Sequence, residues 1–410
     1  MTDVIGALPD ARRAARSLAI APRAEKDAVL RAAARAIEAS AARIASENAL
    51  DVKDARDRGV SDALVDRLVL DASRIASIAR VLREIAAEDD PVGEVLEDRT
   101  RPNGLRVRRV RVPIGVIGMI YEARPSVTAE AFALAFKAGN AIVLRGGSDA
   151  SRTNAAIGDA IRGVLPEKWR GVLVLADPTR ESVLEMVRAE GAIDLVIPRG
   201  GEALVRFVTE NARVPVVQHY KGVCHAFVDA SADLEDAKRV VVNAKMSRPG
   251  VCNALECLLV HESVAERFLP ALARALGPAC EIRGCERTVA IVPTAKRAAP
   301  DDFGREFLDR VLAVRVVADL DAALDHVARF GSGHTEAILT RDESHAARFR
   351  SEVDAACVVV NASTRFHDGG ELGLGTEIGI ATSRLHWRGP MGLESLTTMK
   401  WLVDGSGQTR

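Results

Sequence analysis

From Asp10 to Ala87 apolar residues recur every three or four positions between charged ones, as in KDAVLRAAARAIEASAARIASENALDV. That spacing predicts a run of amphipathic helices. Between Gly93 and Val112 the pattern changes to GEVLEDRTRPNGLRVRRVRV, two alternating runs joined at RPNG, where Asn103 and Gly104 supply turn chemistry. A long exposed hairpin is expected over 93–112. Its Arg-lined alternation leaves a free strand edge, so contact between copies of the chain is expected there.

Downstream, short apolar runs alternate with helical stretches. The order is strand GVIGMIY, helix TAEAFALAFKAG, strand AIVLRG, helix SRTNAAIGDAIRGVL, strand GVLVLAD, helix RESVLEMVRAE, strand DLVIPRGG and helix EALVRFVTEN. Such alternation means βαβ units and a parallel sheet covered on both faces. A second alternating region begins near Cys224 with CHAFVD and runs through LECLLVH, LPALARAL, VLAVRVV, LDAALDHVARFG, TEAILT and CVVVNAS. The expected fold is α/β with two parallel-sheet domains, 1–228 and 229–368, the change falling near Asp229. A segment from 369 to 410, rich in Gly and polar residues, ends in the strand-like LTTMKWLV.

At 410 residues the chain exceeds one ordinary core, in keeping with two domains. Lys and Arg total 56 against 57 Asp and Glu, a net charge of −1, so no basic footprint for nucleic acid is expected. Cysteines 224, 252, 257, 280, 285 and 357 form no paired framework, which suits the reducing cytoplasm. The Ala- and Arg-rich first fifty residues have a transit-peptide flavour, but Glu25, Asp27, Glu38 and Glu47 interrupt the basic face. An ordinary surface helix is expected instead. The apolar stretch AFALAFKAGNAIVL is split by Lys137, Gly139 and Asn140, so no membrane span is expected.

Two strand-to-helix junctions carry glycines, AIVLRGGSDASRTNAA and LVIPRGGEALV. Glycines there let a ligand approach the backbone, and a helix N-terminus presents unpaired N–H groups to an anion. Neither is GxGxxG, so each alone reads equally as a tight turn; two on one sheet favour a dinucleotide. Arg145 ends its strand where an acid would have favoured the 2′-hydroxyl of NAD, and an Arg suits the 2′-phosphate of NADP. The eight histidines show no HxxxH or HExxH spacing, so no metal is expected. There is no GxSxG elbow, and RGGSDAS lacks the Lys of a Walker loop, which removes serine hydrolases and kinases.

The stretch SRPGVCNALECLLV holds two cysteines. Pro249 and Gly250 turn the chain ahead of Cys252, whereas Cys257 falls within a strand. A buried, inert thiol is the commoner state of a free cysteine. Beside a nicotinamide, an activated thiolate instead attacks an aldehyde or acyl carbon, and the adduct exchanges hydride with the cofactor.

The stretches YEARPSVTAEAFALAFKAGNAIVLRGG, IPRGG, RPGVCNALECLLV and VNASTRFHDGGELGLGTEIGIATSRLHWRGPMGLESLTTMKW together resemble the gamma-glutamyl phosphate reductases, the glutamate-5-semialdehyde dehydrogenases of the aldehyde dehydrogenase superfamily. The resemblance covers essentially the whole chain, and its STRFHDGGELGLGTEIGIATS block is highly specific. It implies an aldehyde dehydrogenase-like fold of two Rossmann-like domains: a cofactor-binding domain in 1–228 and a catalytic domain in 229–368, with the active site between them. The 369–410 segment would return to the cofactor domain and join the 93–112 hairpin in an oligomer interface.

By position, the resemblance makes Cys252 the nucleophile, with backbone N–H groups around Cys252 and Asn253 as oxyanion donors. Arg145, Gly146, Gly147 and Ser148, together with Pro198, Gly200 and Gly201, fall on cofactor contacts; Glu306 in REFLDRVLAV falls on the nicotinamide ribose. Asn361, Ser363 and Arg365 of VNASTRF are candidates for gripping the amino-acid end of the substrate, with loop hydrogen bonding as the other reading. Arg124 of YEARP stands near where other members keep an oxyanion-stabilising Asn, and is a candidate for phosphate or carboxylate, with an ion pair to Glu122 or another acid as its alternative. Hydrolytic members keep a water-activating Glu in ELGGK; here VVQHYKGVCH puts Val217 and Gln218 at that place.

The implied reaction is NADPH-dependent reduction of L-glutamyl 5-phosphate to L-glutamate 5-semialdehyde and phosphate, the second step of proline biosynthesis. Cys252 thiolate would displace phosphate, and the thioacyl enzyme would accept hydride and collapse to the aldehyde. A CoA-acylating aldehyde dehydrogenase would use the same nucleophile, and a cofactor-binding scaffold would use none. A homodimer or tetramer, and association with glutamate 5-kinase, are further expectations.

Overall fold

The helical periodicity is realised in α1 (Val4–Leu18), α2 (Arg23–Ala39), α3 (Ala41–Asp57), α4 (Asp62–Leu68) and α5 (Ala72–Ala87) of the computed structural model, which describes residues 3–122, 124–217 and 221–410. Each longer helix buries one stripe: Val29, Leu30, Ala33, Ala34 and Ile37 of α2 pack against Ile75, Ile78, Leu82 and Ile85 of α5. Lys26 and Lys137 are buried in this layer. Lys26 pairs with Asp90 at 2.5 Å and donates to the Lys137 carbonyl at 2.9 Å, while Lys137 pairs with Asp27 at 2.5 Å and donates to the Ala86 carbonyl at 3.1 Å. A buried ammonium persists only with such partners, so the charge that splits the apolar run AFALAFKAGNAIVL ties three helical segments together.

The hairpin follows as β1 (Val95–Thr100) and β2 (Arg106–Pro113), antiparallel, turning at Gly104 with φ +87°. The C-terminal strand Thr397–Asp404 pairs with the other edge of β2 in antiparallel register, from Thr397 opposite Pro113 to Asp404 opposite Arg106. Met399, Trp401 and Val403 alternate along that strand and are exposed.

The first parallel sheet comprises β3 (Val116–Tyr121), β4 (Ala141–Gly146), β5 (Leu173–Leu175) and β6 (Leu195–Arg199), in the order β5-β4-β3-β6. Connecting helices are α6 (Ser126–Lys137), α7 (Ser151–Arg162) and α8 (Arg180–Arg188), with α9 (Glu202–Asn211) after β6.

A second parallel sheet holds β7 (Cys224–Val228), β8 (Leu255–His261), β9 (Glu281–Gly284), β10 (Lys296–Arg297), β11 (Val311–Val317), β12 (Thr335–Leu339) and β13 (Cys357–Val360), in the order β10-β9-β11-β8-β7-β12-β13. The helices α10 (Leu234–Met246), α11 (Glu262–Leu276) and α12 (Glu286–Ile291) supply Val241, Phe268 and Val289 to one face; α13 (Leu320–Phe330) and α14 (Glu343–Glu352) supply Leu320 and Phe349 to the other. Both faces are covered, which is why the strands read as near-continuous apolar runs.

Internal packing divides the chain into one unit of Met1–Gln218, Gly373–Gly379 and Met391–Arg410, and another of His219–Leu372 and Ile380–Pro390. The division falls earlier than Asp229 because β7 is bonded on both sides inside the second sheet. The segment from 369 onward is divided: Ile380–Ala381 and Gly389–Pro390 pair with each other within the second unit. No described helix is long and apolar enough to cross a membrane.

Candidate active site

In the first unit the chain steps outward from β3 to β4 and β5, then returns to the other side of β3 with β6. The reversal puts a topological switch point between β3 and β6, and open α/β sheets bind ligands outside the carboxyl ends of strands at such a point. Glu122 follows β3 and Gly200 and Gly201 follow β6. The Glu122 N–H donates to the Arg199 carbonyl at 3.2 Å, and its Oε2 accepts from the Gly201 N–H at 3.0 Å. A Cβ on Gly200 would lie 2.5 Å from Glu122 Oε2 and 2.6 Å from Leu204 Cδ2, so that glycine serves a tight turn. Gly201 has no atom within 4 Å of its would-be Cβ, and a ligand can approach there. Pro198 lies on β6 opposite Ile120.

At the end of β4, a Cβ on Gly146 would strike Asn154 Nδ2 at 2.2 Å. Arg145 is half-buried: Nη2 donates to the Thr179 carbonyl at 3.1 Å, while the buried Nε has no hydrogen-bond partner. Burial pulls its guanidinium below the usual range. Gly147 caps a short 3-10 turn opened by the exposed Ser148, ahead of α7. Tyr121, Gly146, Asn154 and Leu175 line a small cavity at these strand ends. The Arg124 carbonyl accepts from Val127 N at 3.1 Å and starts α6; Ala123 before it lies outside the described residues. Val217 is buried and extends the β6 edge through its N–H to the Val196 carbonyl at 3.0 Å. Gln218 lies outside the described residues.

In the second unit α10 ends at Met246, Pro249 and Gly250 break the helix, and Cys252 sits partly exposed on the turn that leads into β8. Its carbonyl is enclosed. Cys224 Sγ donates to it at 3.2 Å, and a Cβ on Gly222 would lie 2.1 Å from it. Burial raises the Cys224 thiol well above the ordinary range, so Cys224 stays protonated and donates.

Asn253 is buried and faces the loop after β13. Its Nδ2 donates to the carbonyls of Arg365 at 3.4 Å and His367 at 3.0 Å, and its own carbonyl accepts from Thr364 Oγ1 at 2.7 Å. The side chain therefore staples the turn that carries Cys252 to the loop that carries Arg365. Ser363 Oγ accepts from the Arg365 N–H at 3.3 Å. Asn361, in the left-handed region at φ +55°, uses both ends of its amide on the Thr340 backbone, at 2.8 Å each. Of the two readings of Asn361 and Ser363, these bonds are those of loop shaping; Arg365 remains partly exposed beside them.

Glu306 is half-buried and its Oε1 accepts from the Gly222 N–H at 2.9 Å. The structure thus links Glu306, Gly222, Cys252, Asn253 and Arg365 within one unit. Sequence reasoning missed Gly222, Cys224 and a buried pair, Lys245 Nζ to Glu256 Oε2 at 2.7 Å. A carboxylate inside the otherwise apolar LECLLV was the available signal for the last.

Cys257 is buried in β8, and parallel register sets it beside His225 of β7, which has Glu336 of β12 on its other side. His225 Nδ1 bonds Glu336 at 3.0 Å; burial opposes charge on this imidazole, but Glu336 raises it above the usual range. Among the described residues, His225, Cys257 and His326 place ligand-type atoms within 4.8 Å of one another, a grouping that no sequence spacing foreshadowed because it spans three elements. It lies in an apolar core with Phe227 and Phe303, and Arg315 Nη1 stands 3.4 Å from His326 Nδ1.

A profile of the aldehyde dehydrogenase family matches residues 1–305. The chain is 57% identical over 410 residues to gamma-glutamyl phosphate reductase of Sorangium cellulosum, covering 98% of this chain and 96% of that one. It is 54% identical over 411 residues to the Anaeromyxobacter protein of the same name, covering 97% and 95%. The crystal structure of gamma-glutamyl phosphate reductase from Thermotoga maritima matches with a TM-score of 0.98 at 46% identity, over 100% of both chains. An acetylating aldehyde dehydrogenase from Geobacillus thermoglucosidasius shares the fold, with a TM-score of 0.69 at 19% identity over 99% of this chain and 97% of that one.

Proposed function

The chain belongs to the aldehyde dehydrogenase family and, within it, to the gamma-glutamyl phosphate reductases, and from that premise we propose that it reduces L-glutamyl 5-phosphate to L-glutamate 5-semialdehyde and phosphate. This is the second step of proline biosynthesis from glutamate, and the protein is an oxidoreductase that uses a nicotinamide cofactor. The observation that carries the reading is identity of 57% along nearly the whole chain. The partly exposed Cys252 on its fixed turn supports it.

Cys252 Sγ, as thiolate, attacks the γ-carbonyl carbon; the bond from that carbon to the phosphate oxygen breaks, phosphate leaves, and a thioacyl enzyme remains. The Ala254 N–H already donates to the Val251 carbonyl at 3.0 Å, and the backbone N–H groups of Cys252 and Asn253 hold the oxygen on which charge develops. When bound, the reduced nicotinamide supplies the hydride that converts the thioester to a thiohemiacetal. The carbon–sulfur bond then breaks, releasing the semialdehyde and returning the thiolate.

The cofactor is NADP(H), held by Arg145, Gly146, Gly147 and Ser148 and by Pro198, Gly200 and Gly201, with Glu306 on the nicotinamide ribose. The half-buried Arg145, whose Nε has no partner, and the open space at Gly201 support this choice. Arg124 and Arg365 bind the substrate's phosphate and carboxylate, and Asn361 and Ser363 shape the loop that presents Arg365. The hairpin sheet with exposed Met399, Trp401 and Val403 supports assembly of a homodimer or tetramer. The chain works in the cytoplasm, as its six free cysteines suggest, and the lability of an acyl phosphate favours association with glutamate 5-kinase.

The test runs the reaction backwards, with purified protein, glutamate 5-semialdehyde and NADP or NAD, with and without phosphate. Phosphate-dependent reduction, faster with NADP, is expected; Cys252→Ala should abolish it and Cys257→Ala should keep most of it. Turnover without phosphate, or with coenzyme A in its place, would overturn the substrate assignment. Substantial turnover by Cys252→Ala would remove the covalent mechanism.

A further inference from the structure

We infer that the buried Lys245–Glu256 pair is a positioning device: it sets the backbone of residues 306–308, and through it Glu306, against the nucleophile turn. This deepens, and rests on, the reading of Glu306 as the ribose ligand. The two residues bracket the turn that carries Cys252, Lys245 in the last turn of α10 and Glu256 in β8. Their side chains are 0% and 1% exposed and meet at 2.7 Å. The second carboxylate oxygen, Oε1, accepts the Leu308 N–H at 3.2 Å.

Leu308 needs that anchor. It lies in the left-handed region at φ 54°, where a residue with a branched side chain persists only if its surroundings hold it. The strip around it is stitched elsewhere too: Lys221 Nζ donates to the Gly304 carbonyl at 2.9 Å, and Glu306 Oε1 accepts from the Gly222 N–H at 2.9 Å. Gly222 in turn abuts the Cys252 carbonyl. Glu256 and Glu306 therefore hold one short segment at its two ends, one to the strand after the nucleophile and the other to the chain behind it.

Stability alone does not account for the pair. Burying two charges roughly breaks even against apolar groups of the same volume, so the ion pair is better explained by what it fixes in place. Only a carboxylate can accept an ammonium on one oxygen and a backbone N–H on the other. Lys245 holds the carboxylate in the orientation that Leu308 requires.

The test uses Lys245→Met/Glu256→Leu, which keeps volume but removes the acceptor, and Lys245→Met/Glu256→Gln, which restores an acceptor without charge. The first should raise the KM for NADPH about fivefold, the loss expected from one hydrogen bond, and leave the KM for phosphate within about twofold. The second should return the NADPH KM to within about twofold of the parent. Glu306→Gln should raise the NADPH KM by itself, and adding it to the Leu variant should give no further increase. If the Leu variant does not fold, Lys245→Met/Glu256→Ala takes its place. Equal behaviour of the Leu and Gln variants, multiplication of the Glu306→Gln effect, or a shifted thermal midpoint with unchanged KM would overturn the positioning role while leaving Glu306 on the ribose. An unchanged NADPH KM in Glu306→Gln would overturn the ribose reading, and the positioning role with it.

Discussion

Replacing Gly222 by Ala should cripple turnover while leaving the protein folded. The new Cβ would stand 2.1 Å from the Cys252 carbonyl oxygen and 2.9 Å from its carbonyl carbon and Cα. Carbon rarely comes closer to a carbonyl oxygen than about 3.3 Å, so the shortfall is about 1.2 Å. Gly222 lacks a positive φ, which makes contact the whole of the effect. The atoms struck are backbone atoms of Cys252 and cannot swing aside as a side-chain tip would. Nor can the other strand readily retreat, because Lys221, Gly222 and Val223 are held at 2.9 Å to the Gly304 carbonyl, Glu306 and Ser332. The turn yields instead. Displacing a reacting group by about an ångström costs about 100-fold in rate, whereas overpacking of this kind costs about 1–3 kcal/mol of stability. The assay is phosphate-dependent reduction of NADP by glutamate 5-semialdehyde, read as kcat alongside the thermal midpoint. A kcat within about threefold of the parent, with the midpoint unchanged, would refute the claim that Gly222 sets the position of Cys252.

The two glycines after β6 should separate folding from cofactor binding. Gly200→Ala collides with Glu122 and Leu204 and should lower the thermal midpoint, while Gly201→Ala meets open space and should change stability by less than about 0.5 kcal/mol yet raise the KM for NADPH. An unchanged KM in Gly201→Ala would move the cofactor away from this turn. Iodoacetamide labelling followed by mass spectrometry should find Cys252 and Cys285 before Cys357: all three are partly exposed, but burial raises the Cys357 thiol above its ordinary range. Burial pushes the Cys285 thiol up, but hydrogen bonds from Thr288 and the Val316 N–H outweigh it and bring it below the ordinary range. Cys280, raised by burial to about 11, holds a thiolate fraction of about one in a thousand at pH 8, so its labelling should climb about tenfold per pH unit above that. Rapid labelling of Cys280 at pH 8 would contradict its burial.

Much of this was legible in the chain because period and composition agree along it. The alternation over 93–112 became β1 and β2, and LTTMKWLV became the strand beside them, since both patterns are local. Cys252 could be singled out because Pro249 and Gly250 force a turn whatever surrounds them. The boundary near Asp229 missed the division because β7 belongs to its sheet through β8 and through β12, the latter more than a hundred residues away, and no local pattern records that. For the same reason Gly222 was invisible: its need for glycine comes from the Cys252 carbonyl, which only the fold brings to it. Lys245 and Glu256 were half legible. The charge in an apolar strand was plain, but its partner on the preceding helix, and the Leu308 N–H it accepts, depend on packing.

The chemistry also constrains what must not stand beside the nucleophile. A thioacyl enzyme made from an acyl phosphate is wasted if water reaches it with a base at hand, so nearby carboxylates must be unable to take a proton from water. Glu306 accepts from the Gly222 N–H, Glu256 is bound to Lys245 and the Leu308 N–H, and Glu336 to His225. Each of these carboxylates already has a cation or a backbone donor as partner, and such partners favour its ionised form over its protonated one. Cys224, the thiol nearest the Cys252 carbonyl, is held protonated by burial and cannot attack the thioester itself. The second unit thus sets Cys252 on a backbone fixed by groups that are themselves engaged, an arrangement that suits the proposed nucleophile to passing its acyl group to phosphate or accepting hydride rather than to hydrolysis.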